Sequence, residues 1–373
     1  MSSRLRCLVV AGIIAAPTIH ARASDPSPPG NSDSSASTAG SQIPGASADL
    51  GTVSDWYLAG TRLSQDAVTA LEKQVAADPN NLERRFKILG FYFEKRDLDE
   101  TARAAAQPHI LWIIRNVPDS VAAGVPEAQI EKQIDPVRYD EAAKAWNEQV
   151  ATHPGDPAIL GNAALFFQLS DMPLSERLFR QAQSIEPNNP EWNEELGHLY
   201  TLEAMNQSSN GGSDADRKAL AALEAALPAG GETRFYQLED VAKAAFKAGD
   251  MKKAGAYAGE LLNTAPGYAH DWNDGNAVYT GNTILGLVAL RHGDIASARS
   301  YLLAAGKTPG SPQLDSFGPD LTLAGELVAH GEKDSVIAFL GSISKFWDGH
   351  ADKIKEWQEE IRQGQTPVFN PLY

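Results

Sequence analysis

Three stretches of this chain carry the same punctuation. In "AFKAGDMKKAGAYAGELLNTAP", Gly249-Asp250 is followed by Ala254 and then Pro266. In "ALRHGDIASARSYLLAAGKTPG", Gly293-Asp294 is followed by Ala298, Leu302 and Ala305, then Pro309. "LVAHGEKDSVIAFLGSI" has Gly331-Glu332, then Val336 and Leu340. Each reads as an apolar helix, a glycine stop, an acid that opens the next helix, and a second apolar helix. Glycine after a helix takes up the left-handed conformation that satisfies the terminal carbonyls. The acid after it caps the next N-terminus. A small residue four or five places on lets two helices approach closely.

The spacing continues upstream. "PNNPEWNEELGHLY" carries Pro187, Trp192, Leu196-Gly197 and Tyr200, its Leu-Gly pair repeated at Leu285-Gly286. "PAILGNAALFFQLSDMPLSERLFRQAQSIEPNN" gives Leu160, Ala164, Phe167, Phe179, Ala182 and Pro187, and half-units end at Pro79 and Pro154. The pattern resembles the tetratricopeptide repeat, a helix–turn–helix unit of roughly 34 residues, with its clearest match at Leu285-Gly286, Gly293-Asp294, Ala298, Leu302 and Ala305. Six or seven units fit between residues 52 and 345. The resemblance implies an all-α fold, a right-handed superhelical solenoid of antiparallel helix hairpins. Ile354, Trp357 and Ile361 on one face of "DKIKEWQEEIRQG" supply a C-terminal capping helix.

Two segments depart from the pattern. Residues 107–139 are too long for one hairpin, and "NQSSNGGSDAD" (206–216) is a polar, glycine-rich insertion. The expected organisation is therefore N-terminal helices with an irregular connection over 51–138, a block over 139–232 carrying the insertion, a block over 233–345, and the cap and tail over 346–373.

Ahead of the repeats, Arg4 and Arg6 precede an apolar run from Cys7 to Ile19, and "HARAS" offers cleavage near Ala23. Residues 1–23 read as a signal peptide, and 24–50, small, polar and rich in proline, as a linker with order beginning near Trp56. A periplasmic or secreted protein is expected. Cleavage removes Cys7, the single cysteine, so neither disulfide nor thiol chemistry is expected of the mature chain. It also removes Arg4, Arg6 and Arg22, taking the net charge from −16 to −19. Such acidity disfavours nucleic acid and anionic membrane surfaces.

Four motifs invite chemistry. Gly306-Lys307-Thr308 ends like a phosphate-binding loop, but the glycine required five places earlier is Tyr301 and the preceding stretch reads as helix. Gly306 is read as a helix stop. Glu194 and His198, four apart on one helical face, have the spacing of a metal pair but lack the second histidine of the helical zinc motif. Asp271, Asn273, Asp274 and Asn276 imitate a calcium loop with the wrong ligand spacing, and are read as a polar cap. Trp146, Phe166, Phe167 and Phe179 are read as hairpin core. No metal and no cofactor is expected.

The resemblance implies that the first helices of successive hairpins line a concave groove holding a protein or peptide. On that mapping the groove carries Glu194, Glu195 and His198; Asp240, Lys243 and Lys247; and Thr283, Leu287 and Arg291. Lys243, Lys247 and Arg291 would make a basic spot for a carboxylate. The function expected is non-catalytic binding. The alternative is an extracytoplasmic hydrolase acting on envelope glycan with a pair of groove carboxylates, to be recognised by a buried carboxyl of raised pKa in a closed pocket.

Overall fold

A computed structural model describes residues 43–207, 211–269 and 271–369. The proposed leader, Cys7 and linker residues 24–42 lie outside them. Among the described residues the chain is all-helical, without β-strand, and falls into two compact units that meet between Trp192 and Asn193.

The first unit contains α1 (Leu50–Thr61), α2 (Gln65–Ala77), α3 (Leu82–Phe93), α4 (Glu100–Asn116), α5 (Val121–Gly124), α6 (Pro136–Thr152), α7 (Pro157–Phe167) and α8 (Met172–Ile185). Each opens on Asp, Ser or Asn whose side chain accepts a first-turn N–H: Asp49, Ser64, Asn81, Asp99, Ser120, Asp135, Asp156 and Asp171. Each cap contributes about 1 kcal/mol. Helix α1 packs on α3, α4 on α6, and α7 on α8. The α1–α3 approach is glycine-on-glycine, because a methyl on Gly60 would lie 2.3 Å from the Lys87 carbonyl and one on Gly90 2.4 Å from that of Tyr57. Trp146, Phe166, Phe167 and Phe179 are buried, as the pattern predicts.

Residues 43–49, inside the stretch expected to be linker, form a turn seated on the folded unit. Gly45, at φ 88°, lies against the Trp56 ring, and the Pro44 carbonyl accepts from Leu82 N at 3.4 Å. The long 107–139 segment is divided differently from a hairpin. Its first ten residues finish α4, and the remainder forms α5, a short 3₁₀ turn (Pro126–Ala128) and the start of α6. Side chains hold this irregular path, with Arg96 donating to the carbonyls of Pro126 and Glu127 and Asn162 to those of Pro118 and Ser120.

From Asn193 the second unit continues α9 (Glu191–Asn206) and adds α10 (Asp214–Ala226), α11 (Gly231–Lys247), α12 (Met251–Thr264), α13 (Asp274–Arg291) and α14 (Ile295–Ala305). It closes with α15 (Pro312–Phe317), α16 (Thr322–Ala329), α17 (Lys333–Ile343) and α18 (Ala351–Arg362). Consecutive helices α10 to α14 pack each on the next.

The three glycine–acid turns share one geometry. Gly249, Gly293 and Gly331 have φ of 83°, 77° and 86°. The acid that follows each sends its N–H back five residues, to Ala245, Ala289 and Leu327, which ties down a terminal carbonyl. Asp250 and Asp294 then cap α12 and α14 through Lys253 N and Ser297 N, both at 3.0 Å. Glu332 makes no such cap and faces Arg299 at 3.4 Å. Ala254, Ala258 and Ala298 are fully buried, and Ile354, Trp357 and Ile361 bury one face of α18, which packs on α17.

Gly306 ends α14 for a different reason from the one its sequence suggests. Its φ of −66° is open to any residue. What excludes a side chain there is proximity, since a Cβ would meet Phe339 at 3.0 Å and Ser342 at 3.1 Å. The residues after it pin α13. The Thr308 hydroxyl is buried and donates to the Gly275 carbonyl at 2.7 Å, Gly310 abuts Gly275, and the Ser311 hydroxyl donates to Asn276 Oδ1 at 2.5 Å. Ser311 also caps α15 through Leu314 N. The stretch that resembles a phosphate loop is a clamp between helices.

Candidate functional site

The expected groove residues come from α9, α11 and α13, all in the second unit. On α9, Glu194 and His198 share a face through their four-residue spacing. On α11, Gln237 and Asp240 face them: Gln237 Nε2 donates to Glu194 at 2.8 Å, and His198 Nε2 lies 3.5 Å from Asp240. The neighbouring stripe of α11 turns to α13. Glu239 receives both the Lys243 ammonium, at 2.5 Å, and the Thr280 hydroxyl, at 3.0 Å. The structure thus brings together Glu194, His198, Asp240 and Lys243 in one polar seam.

The seam is strongly coupled. Burial pulls the His198 imidazole down, but the Asp240 carboxylate 3.5 Å away, reinforced by Glu195 and Glu194, prevails and holds it at about 9. Burial pushes the Asp240 carboxyl up, and the same pair brings it below the usual carboxylate range. Partial burial, with 47% of the side chain exposed, opposes the charge on Lys243, and Glu239, Asp240 and Asp320 more than restore it, so its pKa is raised. Five carboxylates (Glu194, Glu195, Glu239, Asp240 and Asp320) act on two cations, His198 and Lys243.

Two expectations need correction. Leu287 faces the core and not a groove, 2% exposed, and Thr283 beside it is 4% exposed; on an 18-residue helix packed by α11, α12 and α14, little of α13 is left facing outward. The basic spot does not form as three available cations, because Lys243 is held by Glu239 and Arg291 makes a two-pronged ion pair with Glu326, at 2.5 and 2.9 Å. Lys247 is exposed at the end of α11, where its backbone carbonyl accepts from Gly212 N. Glu194 and His198 each turn to a different residue of α11, Gln237 and Asp240. Sequence reasoning missed Gln237, Glu239, Thr280 and Asp320. The first two were accessible from the three- and four-residue spacing to Asp240 and Lys243; Asp320, 77 residues beyond Lys243, gave no signal.

The calcium-like stretch is occupied by its own bonds. Asp271 accepts from Asn273 N and from the Tyr236 hydroxyl, and Asn276 bridges Asn273 and Gln313. Among the described residues no three His, Cys, Asp or Glu side chains gather as metal ligands.

The first unit holds two other polar clusters. Arg96, Arg103 and Arg138 line a pocket of about 30 Å³ over Ala106, Ile110 and Ile134. Arg103 and Arg138 are engaged by Glu100 and Asp135, and Arg96 by backbone carbonyls. Deeper, Glu72, His109 and Arg85 form a chain: His109 Nε2 lies 3.1 Å from Glu72, its Nδ1 3.2 Å from Arg85, and the guanidinium stacks 4.2 Å over Trp112. Burial brings Arg85 down to about 10. An acid–imidazole pair is present, but the position a nucleophile would take is held by a cation. Glu127 is a carboxyl pushed up by burial, with Arg96 the charge that opposes the shift, and together with Glu94 it raises the neighbouring Tyr57 hydroxyl, which burial already pushes up.

No protein-family model matches this chain, and no curated protein is detectably similar to it. Its function must be argued from the seam. No helix among the described residues is long and apolar enough to cross a membrane.

Proposed function

We propose that this is a non-catalytic helical-repeat protein that binds another protein or a peptide along the face made by α9, α11 and α13. In this reading the helices are tetratricopeptide-like antiparallel hairpins stacked in a right-handed solenoid, α18 caps the array, and alternate helices line a concave groove. The chain works outside the cytoplasm, in the periplasm or as a secreted protein, once its leader is removed near Ala23.

The observation that carries the reading is the seam. Residues at three- and four-residue spacing on α9 and α11, joined by Thr280 of α13, present polar groups in register across successive alternate helices. A repeat array offers an extended ligand such a stripe. The glycine–acid turns and buried alanines support the repeat assignment. Catalysis has weaker support, because His198 Nε2 faces Asp240 and both ring nitrogens of His109 are taken up by Glu72 and Arg85, leaving neither imidazole beside a nucleophile.

The test is affinity capture from an envelope extract with the immobilised protein, repeated with Gln237→Ala/Asp240→Ala. A partner captured by the parent and lost by the variant supports the reading. A partner retained equally by both places binding elsewhere, and no partner together with hydrolysis of cell-wall glycan would overturn it.

A further inference from the structure

The buried Glu72–His109–Arg85 chain of the first unit takes no part in the binding face proposed above, and its geometry admits only one placement of protons. We propose that it is a proton-operated latch: the neutral His109 ring holds Arg85 against the turn between α2 and α3 and over Trp112, and protonation of that ring releases the guanidinium. The latch belongs to the first unit alone and does not depend on what the seam binds.

The hydrogen-bond roles follow from the chemistry of the partners. A guanidinium only donates. The 3.2 Å contact between Arg85 Nη1 and His109 Nδ1 therefore needs an unprotonated Nδ1 that accepts. The ring's single proton then sits on Nε2, which donates to Glu72 Oε1 at 3.1 Å. In this state one carboxylate faces one cation. A second proton on the ring would fall on Nδ1 and set N–H against N–H, with two cations sharing Glu72. Arg85 and His109 are 5% and 3% exposed, so water does little to screen them. Burial already brings Arg85 down to about 10, with Glu72 the opposing charge. The imidazolium would keep Glu72 as its partner, and Arg85 is the group left without an acceptor on the ring.

The surrounding charges do not relieve that conflict. Helix α4 packs on α3, α5 and α6. On α3, Arg84 is paired with Asp78 and Lys87 with Glu83, while Tyr92 is pushed up by burial and by Glu72 itself. On α6, Arg138 is engaged by Asp135 and Glu100, and Glu141 by Gln107 and Arg115. Helix α5 carries no titratable side chain.

What Arg85 holds defines what its release does. Its Nε and Nη2 both donate to the Pro79 carbonyl, at 3.1 and 2.8 Å, in the link between α2 and α3. Its guanidinium covers one face of Trp112, which lines an open groove on α4 with Pro108, Leu111 and Arg115. Release therefore loosens the 78–81 turn and bares an indole face beside that groove.

The test uses the full chain. Nitrogen NMR at about pH 8, with the His109 signals assigned by their loss in His109→Gln, reads the tautomer. Hydrogen exchange over residues 78–90, corrected for the intrinsic pH dependence, is then compared at about pH 8 and about pH 5.5, either side of the range in which imidazoles change charge. A glutamine can accept from Arg85 and donate to Glu72 at every pH, so His109→Gln is a latch that cannot open; circular dichroism at about pH 8 checks that it keeps the parent's helix content. Protection over 78–90 should fall at least about tenfold in the parent on acidification and less than about twofold in His109→Gln. A ring protonated on Nδ1 at about pH 8, unchanged protection in the parent, or an equal loss in both chains would each overturn the proposal. The exchange comparison needs only the parent, so a variant that fails to fold does not leave the latch undecided.

Discussion

Replacing Gly275 with alanine should unlock the clamp between α13 and the 306–311 segment. The added Cβ would fall 1.8 Å from the Gly310 carbonyl oxygen, where Cβ atoms keep at least 3.0 Å, so one side must withdraw by about 1.2 Å. The segment has no room to retreat, because Phe346 lies behind it: a Cβ on Gly310 would stand 2.7 Å from that of Phe346. Withdrawal stretches the Thr308–Gly275 and Ser311–Asn276 hydrogen bonds, worth about 1 kcal/mol each. Overpacking adds about 1–3 kcal/mol, and alanine returns at most about 1 kcal/mol in helix propensity. The expected net loss is about 3 kcal/mol. Gly259, in mid-α12, has nothing within 4 Å of its would-be Cβ, so Gly259→Ala should gain up to about 1 kcal/mol. Urea unfolding of both variants, with hydrogen exchange over 274–317 to locate the effect, gives the comparison. Equal stability of Gly275→Ala and the parent, or shifts of the same sign in both variants, would refute the reasoning.

The His198–Asp240 pair makes stability pH-dependent. The histidine's folded pKa is raised, so its contribution, with a ceiling of about 3 kcal/mol, is complete below about 6.5 and lost as pH rises through about 9. Urea midpoints from pH 6 to 10 should fall in the parent and stay flatter in His198→Asn. Asp294→Ala should cost about 1 kcal/mol through loss of the α14 cap, whereas Glu332→Ala, with no cap to lose, should cost under about 0.5 kcal/mol; thermal melts compare them. Ala298→Leu, at a fully buried position, should destabilise by about 1–3 kcal/mol in the same assay.

What the sequence disclosed and what it hid divide along physical lines. The glycine–acid turns were legible because the left-handed glycine and the carboxylate cap are local devices, complete within six residues. The buried alanines and the apolar face of α18 followed from helical period alone. Gly306 was placed correctly at a helix end but for the wrong cause, since its neighbour Phe339 is 33 residues away. The same limit applies to the seam. Glu194, His198, Asp240 and Lys243 could be mapped onto one face from spacing, but Glu326 beside Arg291 and Asp320 beside Lys243 come from remote segments. Charge pairing is a tertiary fact, so spacing gave positions and missed the partners.

The small side chains inside the second unit set how it moves as well as how it packs. Ala242, Ala245, Ala254, Ala258, Ala298, Ala305 and Ala324 are all fully buried. Alanine has no rotamer to lose on folding, so these interfaces order without the entropy cost that leucine or methionine would incur. They also have no alternative rotamer to adopt. A helix cannot slide past its neighbour by exchanging one side-chain arrangement for another; methyl groups meet backbone at once. These alanine contacts therefore resist sliding, and exchange rates of amides along α11 to α14 should change together, as those of a single stiff body.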